Sequence, residues 1–525
     1  MLSSASHDTG ERRIACLFLQ GTSTLHVRAP PSLSPEVVRT AIGASWPAGI
    51  KSETVEAGQF SFELFGWPWQ ESKNDNGSNT CRLVLALVRT LATHGWRFLA
   101  GVGSTKCPEF ADSLFFERAS AVAGPVMFGM HMGDKSSLCV VGYVETDRSE
   151  AICTALRDAV VAAWSDGITG QSVDQSEFKI HLNKEPWRSK TSNDPKVRSL
   201  LSQVIHSFST IGFRLVGTCK PRYLIDDQAD GVQHAPSMDM WLFQLDDGSD
   251  SQLPSYEEAI GQAGSASAPL PSIRASASLV PRQSGREIVS ITTIVPDELE
   301  IISQREVGEA LVQVVRANWD NGIKSHHLTA FTLPCDDGQA HFVTKIKIPR
   351  SPWVFDAGFG VPVRSRRLLV AVLAHMRRWG WRLLASPETV RDAYTNLPFF
   401  FEPCPPTKFL EMFAVTPSAE KELLLIYNVG DMHDKSLAAA VDVINAAWQP
   451  LPVTQRMTKT QPGLVGWKMS GMSWVYIGDQ PTWNRVLFIN IIEGMLNIGF
   501  EFYAACRSRE GHSQCDNLVF VRTAE

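Results

Sequence analysis

The stretch Leu83–Trp96, LVLALVRTLATHGW, reads as a hydrophobic helix that ends at a glycine followed by an aromatic residue. The same glycine–aromatic step recurs at Gly212-Phe213, Gly380-Trp381 and Gly499-Phe500. The first two aromatic residues are 117 residues apart and the last two are 119 apart, whereas the middle spacing is 168. A period of this length indicates four copies of a domain-sized unit with extra sequence in the middle.

Each copy contains the same succession of predicted elements, in the order ββαβαββ. Alternating β-branched and aromatic residues predict an opening hairpin, and an amphipathic helix follows that ends at Trp46, Trp164, Trp319 or Trp448. A strand then leads to a second helix, which is apolar around most of its circumference and is therefore expected to be buried on more than one side. The sequence predicts an α+β fold of four tandem repeats of about 118 residues, each a two-layer α/β sandwich.

The predicted boundaries are residues 11–118, 125–246, 286–403 and 408–525 for repeats 1 to 4. Residues 247–285 are rich in Ser, Ala, Gly and Pro, which predicts a flexible linker. Short joins connect repeat 1 to repeat 2 and repeat 3 to repeat 4. We therefore expect two lobes joined by the linker.

Composition excludes several classes of function. The 525 residues carry a formal charge of −6, which argues against non-specific binding to nucleic acid. The most apolar stretch, residues 486–506, is interrupted by Asn and Glu and predicts a buried helix rather than a membrane span. The amino terminus lacks the apolar core of a signal peptide, and the ten cysteines show no zinc-binding spacing. We expect a cytoplasmic protein with no metal and no cofactor.

The linker contains a short motif that resembles a known class of ligand. Leu253-Pro254-Ser255-Tyr256 is similar to the variant form of the Pro-Pro-x-Tyr peptides that WW domains bind. Proline favours the polyproline II conformation, and the tyrosine can fill an aromatic-lined groove. The resemblance implies a WW-domain partner through Leu253, Pro254 and Tyr256. The alternative is that the segment is only a turn in a spacer.

Two polar positions recur in all four copies. An arginine opens the second helix, where free N–H groups favour an anion, so these residues are candidates for anion binding: Arg82, Arg198, Arg366 and Arg485. Alternatively, their stems pack on tryptophan and their charged ends face water. An Asp or Asn precedes or begins the last strand: Asp112, Asp239, Asn396 and Asp516. For these, a turn-forming role is favoured over cation binding, because one carboxylate per repeat is a poor metal site.

The sequence favours a non-catalytic adaptor protein, because no nucleophile motif is present and no catalytic polar group recurs. The alternative is an enzyme or small-ligand-binding protein with a site in a cleft between paired repeats. Prolines near the strand ends are expected to block open-ended assembly, which favours a monomer or a discrete dimer.

Overall fold

A computed structural model describes residues 13–56, 58–69, 77–103, 111–133, 135–143, 147–174, 177–187, 195–221, 239–246, 287–294, 296–331, 341–353, 361–387, 398–418, 421–449, 451, 454–470, 474, 481–510 and 513–523. These residues form 24 strands and eight helices, divided equally among four repeats. Within them, no helix is both long enough and apolar enough to cross a bilayer.

Each repeat contains six strands and two helices in the order ββαββαββ. Repeat 1 comprises β1 (Ile14–Gln20), β2 (Thr24–Arg28), α1 (Pro35–Ser45), β3 (Ile50–Glu56), β4 (Gln59–Leu64), α2 (Ser78–Thr93), β5 (Trp96–Val102) and β6 (Ser113–Arg118). Repeat 2 comprises β7 (Met127–Met132), β8 (Ser137–Val141), α3 (Ser149–Ala163), β9 (Ile168–Val173), β10 (Glu177–Leu182), α4 (Pro195–Thr210), β11 (Phe213–Cys219) and β12 (Met240–Leu245).

The second half of the chain repeats this order. Repeat 3 comprises β13 (Val289–Ile294), β14 (Glu298–Ser303), α5 (Arg305–Asn318), β15 (Ser325–Phe331), β16 (His341–Lys347), α6 (Val361–Arg378), β17 (Trp381–Ala385) and β18 (Pro398–Pro403). Repeat 4 comprises β19 (Glu411–Ser418), β20 (Glu422–Tyr427), α7 (Asp434–Ala447), β21 (Thr454–Gln461), β22 (Leu464–Ser470), α8 (Pro481–Asn497), β23 (Glu501–Glu510) and β24 (Ser513–Arg522). The predicted α+β repeat architecture is confirmed.

One strand per repeat was missing from the predicted order. A hairpin, not a single strand, follows the first helix: β3–β4, β9–β10, β15–β16 and β21–β22. The first strand of this hairpin is polar, as in Ile50–Glu56 (IKSETVE), and its residues are mostly exposed. Because it lies at the edge of the sheet, it does not need the apolar alternation by which strands are recognised in sequence.

All four sheets have the same antiparallel strand order, β3-β4-β2-β1-β6-β5 in the numbering of repeat 1. The opening strand therefore lies inside the sheet, and it is buried on both faces; in β19 all eight residues are buried. The two helices of the same repeat cover one face of the sheet. The other face of the opening hairpin is covered by the second helix of the preceding repeat, which explains why both faces are apolar.

The glycine–aromatic step has a defined conformational role. Gly95, Gly212, Gly380 and Gly499 all have a left-handed backbone, with φ between 78° and 90°. A residue in this conformation after a helix lets the chain reverse, and glycine enters it without steric cost. The aromatic residue that follows is either the first residue of the next strand or the one just before it. Its side chain is buried in all four copies.

In every copy, a tryptophan that follows the second hairpin makes a hydrogen bond to the second strand of the first hairpin. The indole N–H of Trp69 donates to the carbonyl of Thr24, the first residue of β2, at 3.2 Å. Trp187, Trp353 and Trp474 make the same bond to the first residues of β8, β14 and β20. These buried tryptophans belong to the core, where their polar edge is satisfied by the backbone.

The four repeats form a closed cycle of contacts. Each hydrophobic core takes residues from the next repeat: Met127 and Val141 join the core of repeat 1, and Phe400 joins that of repeat 2. Met412 joins the core of repeat 3. The cycle closes when Cys16 and Phe18 of repeat 1 join the core of repeat 4.

This ring differs from the two lobes expected from the sequence. Helix α4 contacts β13 across the long central segment, just as α2 contacts β7 and α6 contacts β19. Helix α8 contacts β1, and the Arg13 backbone N–H donates to Glu493 at 2.8 Å. The apolar surface around the second helix therefore packs on its own repeat and on the next one, including across the boundary between repeats 2 and 3, where the sequence predicts the linker.

We expect Gly101→Ala to weaken the contact between repeats 1 and 2. A Cβ at Gly101 would lie 2.5 Å from the Cβ and 2.7 Å from the Cα of Cys219, so the backbone of β11 would have to move. Such overpacking costs about 1–3 kcal/mol, measurable by urea unfolding. Gly43→Ala is the control: it lies on the exposed side of α1 with no atom within 4 Å, and should stabilise by about 0.5–1 kcal/mol. Equal effects of the two substitutions would contradict the close contact.

Candidate functional site

The inner edge strands of the four sheets meet around the centre of the ring. Strand β5 contacts β11, β11 contacts β17, β17 contacts β23, and β23 contacts β5. The recurrent acidic residues lie where these strands converge. Asp112, Asp239 and Asp516 are at most 3% exposed, whereas Asn396 lies outside the described residues. These residues, which recur at one position of the repeat, therefore form a cluster of buried carboxylates at the centre of the ring. We call Asp112, Asp239 and Asp516 the axial cluster.

One guanidinium joins the three carboxylates of the axial cluster. Arg507 Nη2 lies 2.7 Å from Asp112 Oδ2, and Nη1 lies 2.8 Å from Asp239 Oδ1. Its Nε is more distant from Asp516 Oδ1, at 4.0 Å. Arg507 belongs to repeat 4, so a single side chain connects repeats 1, 2 and 4. Charge-assisted hydrogen bonds of this kind are strong where solvent is excluded.

Backbone groups complete the axial cluster. The Lys220 N–H donates to Asp112 Oδ2 at 2.7 Å, while the Asp112 N–H donates to the Lys220 carbonyl at 2.9 Å. Gly103 and Asp516 form the same reciprocal pair, with the Gly103 N–H 2.6 Å from Asp516 Oδ2. These contacts join repeat 1 to both of its neighbours. The acidic column thus acts between repeats, which the turn interpretation did not anticipate.

The axial cluster changes the protonation of one of its members. Burial raises the pKa of Asp516 to about 7, and the negative charges of Asp112 and Asp239 act in the same direction. Arg507 and the Gly103 N–H oppose this shift. Because three carboxylates share one guanidinium and Asp516 is the farthest from it, this carboxyl group titrates near neutral pH.

Sequence reasoning missed Arg507 because only one copy has it. Arg507 lies eight positions after the glycine of the glycine–aromatic step, and the equivalent residue is Gly103 in repeat 1 and Lys220 in repeat 2. A search for polar residues that agree in all four copies passes over such a position. The informative feature was a difference between the copies: repeat 4 has an arginine at this position, close to the recurrent acidic residues.

Three of the four candidate anion-binding arginines, Arg198, Arg366 and Arg485, contact a neighbouring repeat. Arg198 is 3% exposed and pairs with Glu300 of repeat 3, whose other oxygen lies 2.9 Å from Lys345 Nζ. A buried carboxylate already occupies the place that an external anion would take. At this interface the arginine links two repeats.

Arg485 and Arg366 also bond to the next repeat, whereas Arg82 bonds within its own helix. Arg485 is buried, donates to Ser113 at 2.9 Å, and lies 4.1 Å from the ring centre of Phe18 in repeat 1. Arg366 is buried and donates to the Pro417 carbonyl of repeat 4 at 3.3 Å. Arg82 is partly exposed and donates to Asn79 on its own helix. Anion binding by these residues stays a prediction.

A second polar cluster lies between repeats 1 and 2. His131, Cys139 and Glu177 stand on the neighbouring strands β7, β8 and β10, and one ligand atom from each lies within 4.8 Å of the others. Ser78, the first residue of α2, donates to Glu177 Oε2 at 2.6 Å. Lys179 Nζ lies 3.3 Å from Glu177 Oε1. We call these five residues the interface cluster.

The interface cluster contains groups with altered pKa values. Burial raises the pKa of the Cys139 thiol well above its usual value, and the charge of Glu177 adds to the shift. Burial also pushes the pKa of Glu177 upward, but hydrogen bonds from Ser78 and Cys139 and the nearby cationic groups lower it overall. The three strands bring together residues that are up to 46 positions apart, so no local spacing in the sequence marks them.

The motif residues Leu253, Pro254 and Tyr256 lie outside the described residues. The chain enters and leaves this segment from packed positions. Leu245 at the end of β12 and Ile288 before β13 both pack against the hydrophobic core of repeat 2.

Comparison with known proteins bears on the repeats alone. The model of one family, described only as a domain and without an activity, matches the chain four times, over residues 13–117, 126–244, 287–397 and 411–521. No curated protein and no solved structure matches the chain.

We expect Asp516→Asn to flatten the dependence of stability on pH. In the unfolded chain this carboxyl ionises near its ordinary pKa of 3.8, whereas in the folded chain it keeps its proton up to about 7. Its contribution to stability is therefore complete below pH 4 and is lost as the pH rises to 7. Asparagine keeps the shape and an acceptor oxygen, so the variant should gain on the order of 4 kcal/mol relative to the wild type above pH 7.

The measurement is urea unfolding at pH 5, 6, 7 and 8. Asp112→Asn is the matched control in the same cluster. It removes a charge 2.7 Å from Arg507 and should destabilise by about 3 kcal/mol, since one partner of a buried pair is lost. If Asp516→Asn keeps the wild-type slope between pH 5 and 7, the assignment of this titration to Asp516 is wrong.

Proposed function

We propose that this chain, which belongs to the domain family whose model matches it four times, is a non-catalytic cytoplasmic adaptor that presents a WW-domain ligand on a closed ring of repeats. The ligand is the Leu253-Pro254-Ser255-Tyr256 motif of the central segment. The observation that carries the proposal is that this segment is far longer than the ring requires.

The lengths of the three joins between repeats support this. Residues 119–126 connect repeat 1 to repeat 2, and residues 404–410 connect repeat 3 to repeat 4. Residues 246–288 connect repeat 2 to repeat 3, although Leu245 and Ile288 pack against the same hydrophobic core. The equivalent strands of the other two pairs of repeats are joined by eight and seven residues, so a short join would serve here as well. Long connections in compact proteins are typically functional or serve as linkers, so the surplus sequence is available to bind a partner.

The chemistry of the motif supports a WW-domain partner. Pro254 restricts the backbone to the extended conformation that such domains bind, which lowers the entropy cost of binding. Tyr256 supplies a large rigid side chain, and Leu253 supplies an apolar one. The acidic pair Glu257-Glu258 follows directly, so the ligand suits a groove with a basic rim.

The use of the recurrent polar residues supports a non-catalytic role. The carboxylates of Asp112 and Asp239 are paired with Arg507, and Arg198 is paired with Glu300. These side chains hold repeats together at buried positions. A catalytic group must instead reach a substrate, so the polar columns that recur are accounted for by the architecture.

The outer edges of the sheets support a discrete particle, a monomer or a dimer. Strand β3 lies at the edge farthest from the centre of the ring and carries Lys51, Glu53 and Glu56. Charged side chains on an edge strand oppose pairing with another sheet. Next to this edge, Phe65 and Trp67 are 50% and 67% exposed and supply an apolar surface for a second partner.

The experiment is direct binding of the intact purified chain to immobilised WW domains of the class that accepts Pro-Pro-x-Tyr ligands. We expect Tyr256→Ala to weaken binding at least tenfold (roughly the cost of losing one aromatic anchor). Ser255→Ala is the matched control, because the position between proline and tyrosine is not read, and its affinity should stay within about twofold of the wild type.

Undiminished binding by Tyr256→Ala would contradict the adaptor proposal, as would the absence of binding to every domain of this class. Circular dichroism of both variants checks that the ring is intact. Neither substitution lies in a repeat, so their spectra should match that of the wild type.

A further inference from the structure

The interface cluster combines three types of metal ligand on one buried surface. His131 is 1% exposed and Cys139 is fully buried, and the register places them directly opposite each other on β7 and β8. Glu177 lies on β10, two residues before Lys179, which pairs with Cys139. Among the described residues, these three form a group of potential ligand atoms within 4.8 Å of one another.

The chemistry of this set favours zinc. A thiolate and an imidazole are the ligands that Zn²⁺ binds in protein sites, whereas Mg²⁺ and Ca²⁺ prefer oxygen alone. With metal–ligand distances of about 2.0–2.3 Å, the ligand atoms of a tetrahedral site stand roughly 3.5 Å apart. The present separation of up to 4.8 Å requires them to move inward by about 1 Å, which rotation about side-chain bonds can supply.

The next interface has the same strand geometry but a different set of polar groups. Glu300 occupies in repeat 3 the position that Cys139 occupies in repeat 2, opposite Lys345 and Lys179 respectively. There, Arg198 from the preceding helix supplies a second positive charge.

The position equivalent to Arg198, the fourth residue of its helix, is occupied in repeat 1 by Cys81, so a cysteine replaces that arginine between repeats 1 and 2. Arg82 is partly exposed and donates to Asn79 of its own helix, and Ser78 is the residue that contacts the cluster. Where repeat 2 places an arginine against an acidic group, repeat 1 therefore presents a hydroxyl to a carboxylate, an imidazole and a thiol.

We propose that His131, Cys139 and Glu177 bind one Zn²⁺ ion between repeats 1 and 2, with a water molecule beside Ser78 as the fourth ligand. Binding replaces the thiol proton of Cys139, which passes to solvent, because the thiolate is the ligand. Ser78 Oγ lies 3.4 Å from His131 Nε2 and 2.6 Å from Glu177 Oε2, so it is placed to hold this water. The ion joins the sheet of repeat 2 to the first turn of α2.

The test is a zinc titration of the intact chain, stripped of metal beforehand, in competition with a chromophoric chelator. We expect one ion per chain. Cys139→Ser and Glu177→Gln should each weaken binding more than about 100-fold, since even changes beyond the ligands themselves cost 10–100-fold. Cys153→Ser and Glu150→Gln are matched controls in the same repeat, on α3, and should bind as the wild type does.

Co²⁺ provides a second measurement that does not depend on the variants folding. Bound to the wild-type chain, it should show thiolate-to-metal absorption with the intensity of one cysteine per ion. That band should persist in Cys153→Ser. The proposal is overturned if the wild-type chain binds less than one ion, if the band is absent, or if Cys139→Ser and Glu177→Gln retain wild-type affinity.

Discussion

The second helix of each repeat carries more apolar surface than its own sheet can cover, and the architecture follows from this constraint. Helix α2 packs on α1 and β5 of its own repeat and on β7 and β8 of the next one. Its buried residues, which include Leu85 and Val88, therefore extend around most of the helix. The remaining surface requires a second partner, which is the outer face of the opening hairpin in the next repeat. That hairpin is apolar on both faces for the same reason. A single repeat would leave both surfaces exposed, and an open row of repeats would leave one exposed at each end. Because repeat 4 packs on repeat 1, the closed ring leaves neither uncovered.

Closure of the ring brings polar groups together that the repeats carry separately. Each sheet has its inner edge at the centre, and an Asp or Asn lies just before the last strand or near its start, at residues 112, 239, 396 and 516. Three such carboxylates at one place would repel one another in the absence of solvent. Arg507 offsets this repulsion, but burial, together with the charges of Asp112 and Asp239, still raises the pKa of Asp516, the carboxylate farthest from Arg507. The buried carboxylates at two interfaces have different cationic partners. Between repeats 2 and 3, Glu300 pairs with Arg198. Between repeats 1 and 2, Glu177 pairs with Lys179, and we propose a metal ion beside it.

Periodic features were predictable from the sequence, and features that depend on pairing between repeats were not. The four copies, the helices and the tryptophans were evident because their signals are local and recur. Strand β3 was missed because an edge strand with the sequence IKSETVE has no apolar alternation. Arg507 pairs with residues 395 and 268 positions away, and no local pattern indicates that distance. The interface cluster was missed because its residues come from three strands and one helix. The linker motif was visible because it consists of four consecutive residues.

The most direct test of the ring is to cut the chain within the central segment. A protease site inserted between Gly264 and Ser265 leaves Leu253–Tyr256 and all four repeats intact. If the second helix of each repeat packs on the next repeat, the two fragments should elute together from gel filtration at the volume of the uncut protein. They should separate only in denaturant. Two separate peaks under native conditions, each at about half the mass, would contradict the closed ring and favour the two lobes expected from the sequence.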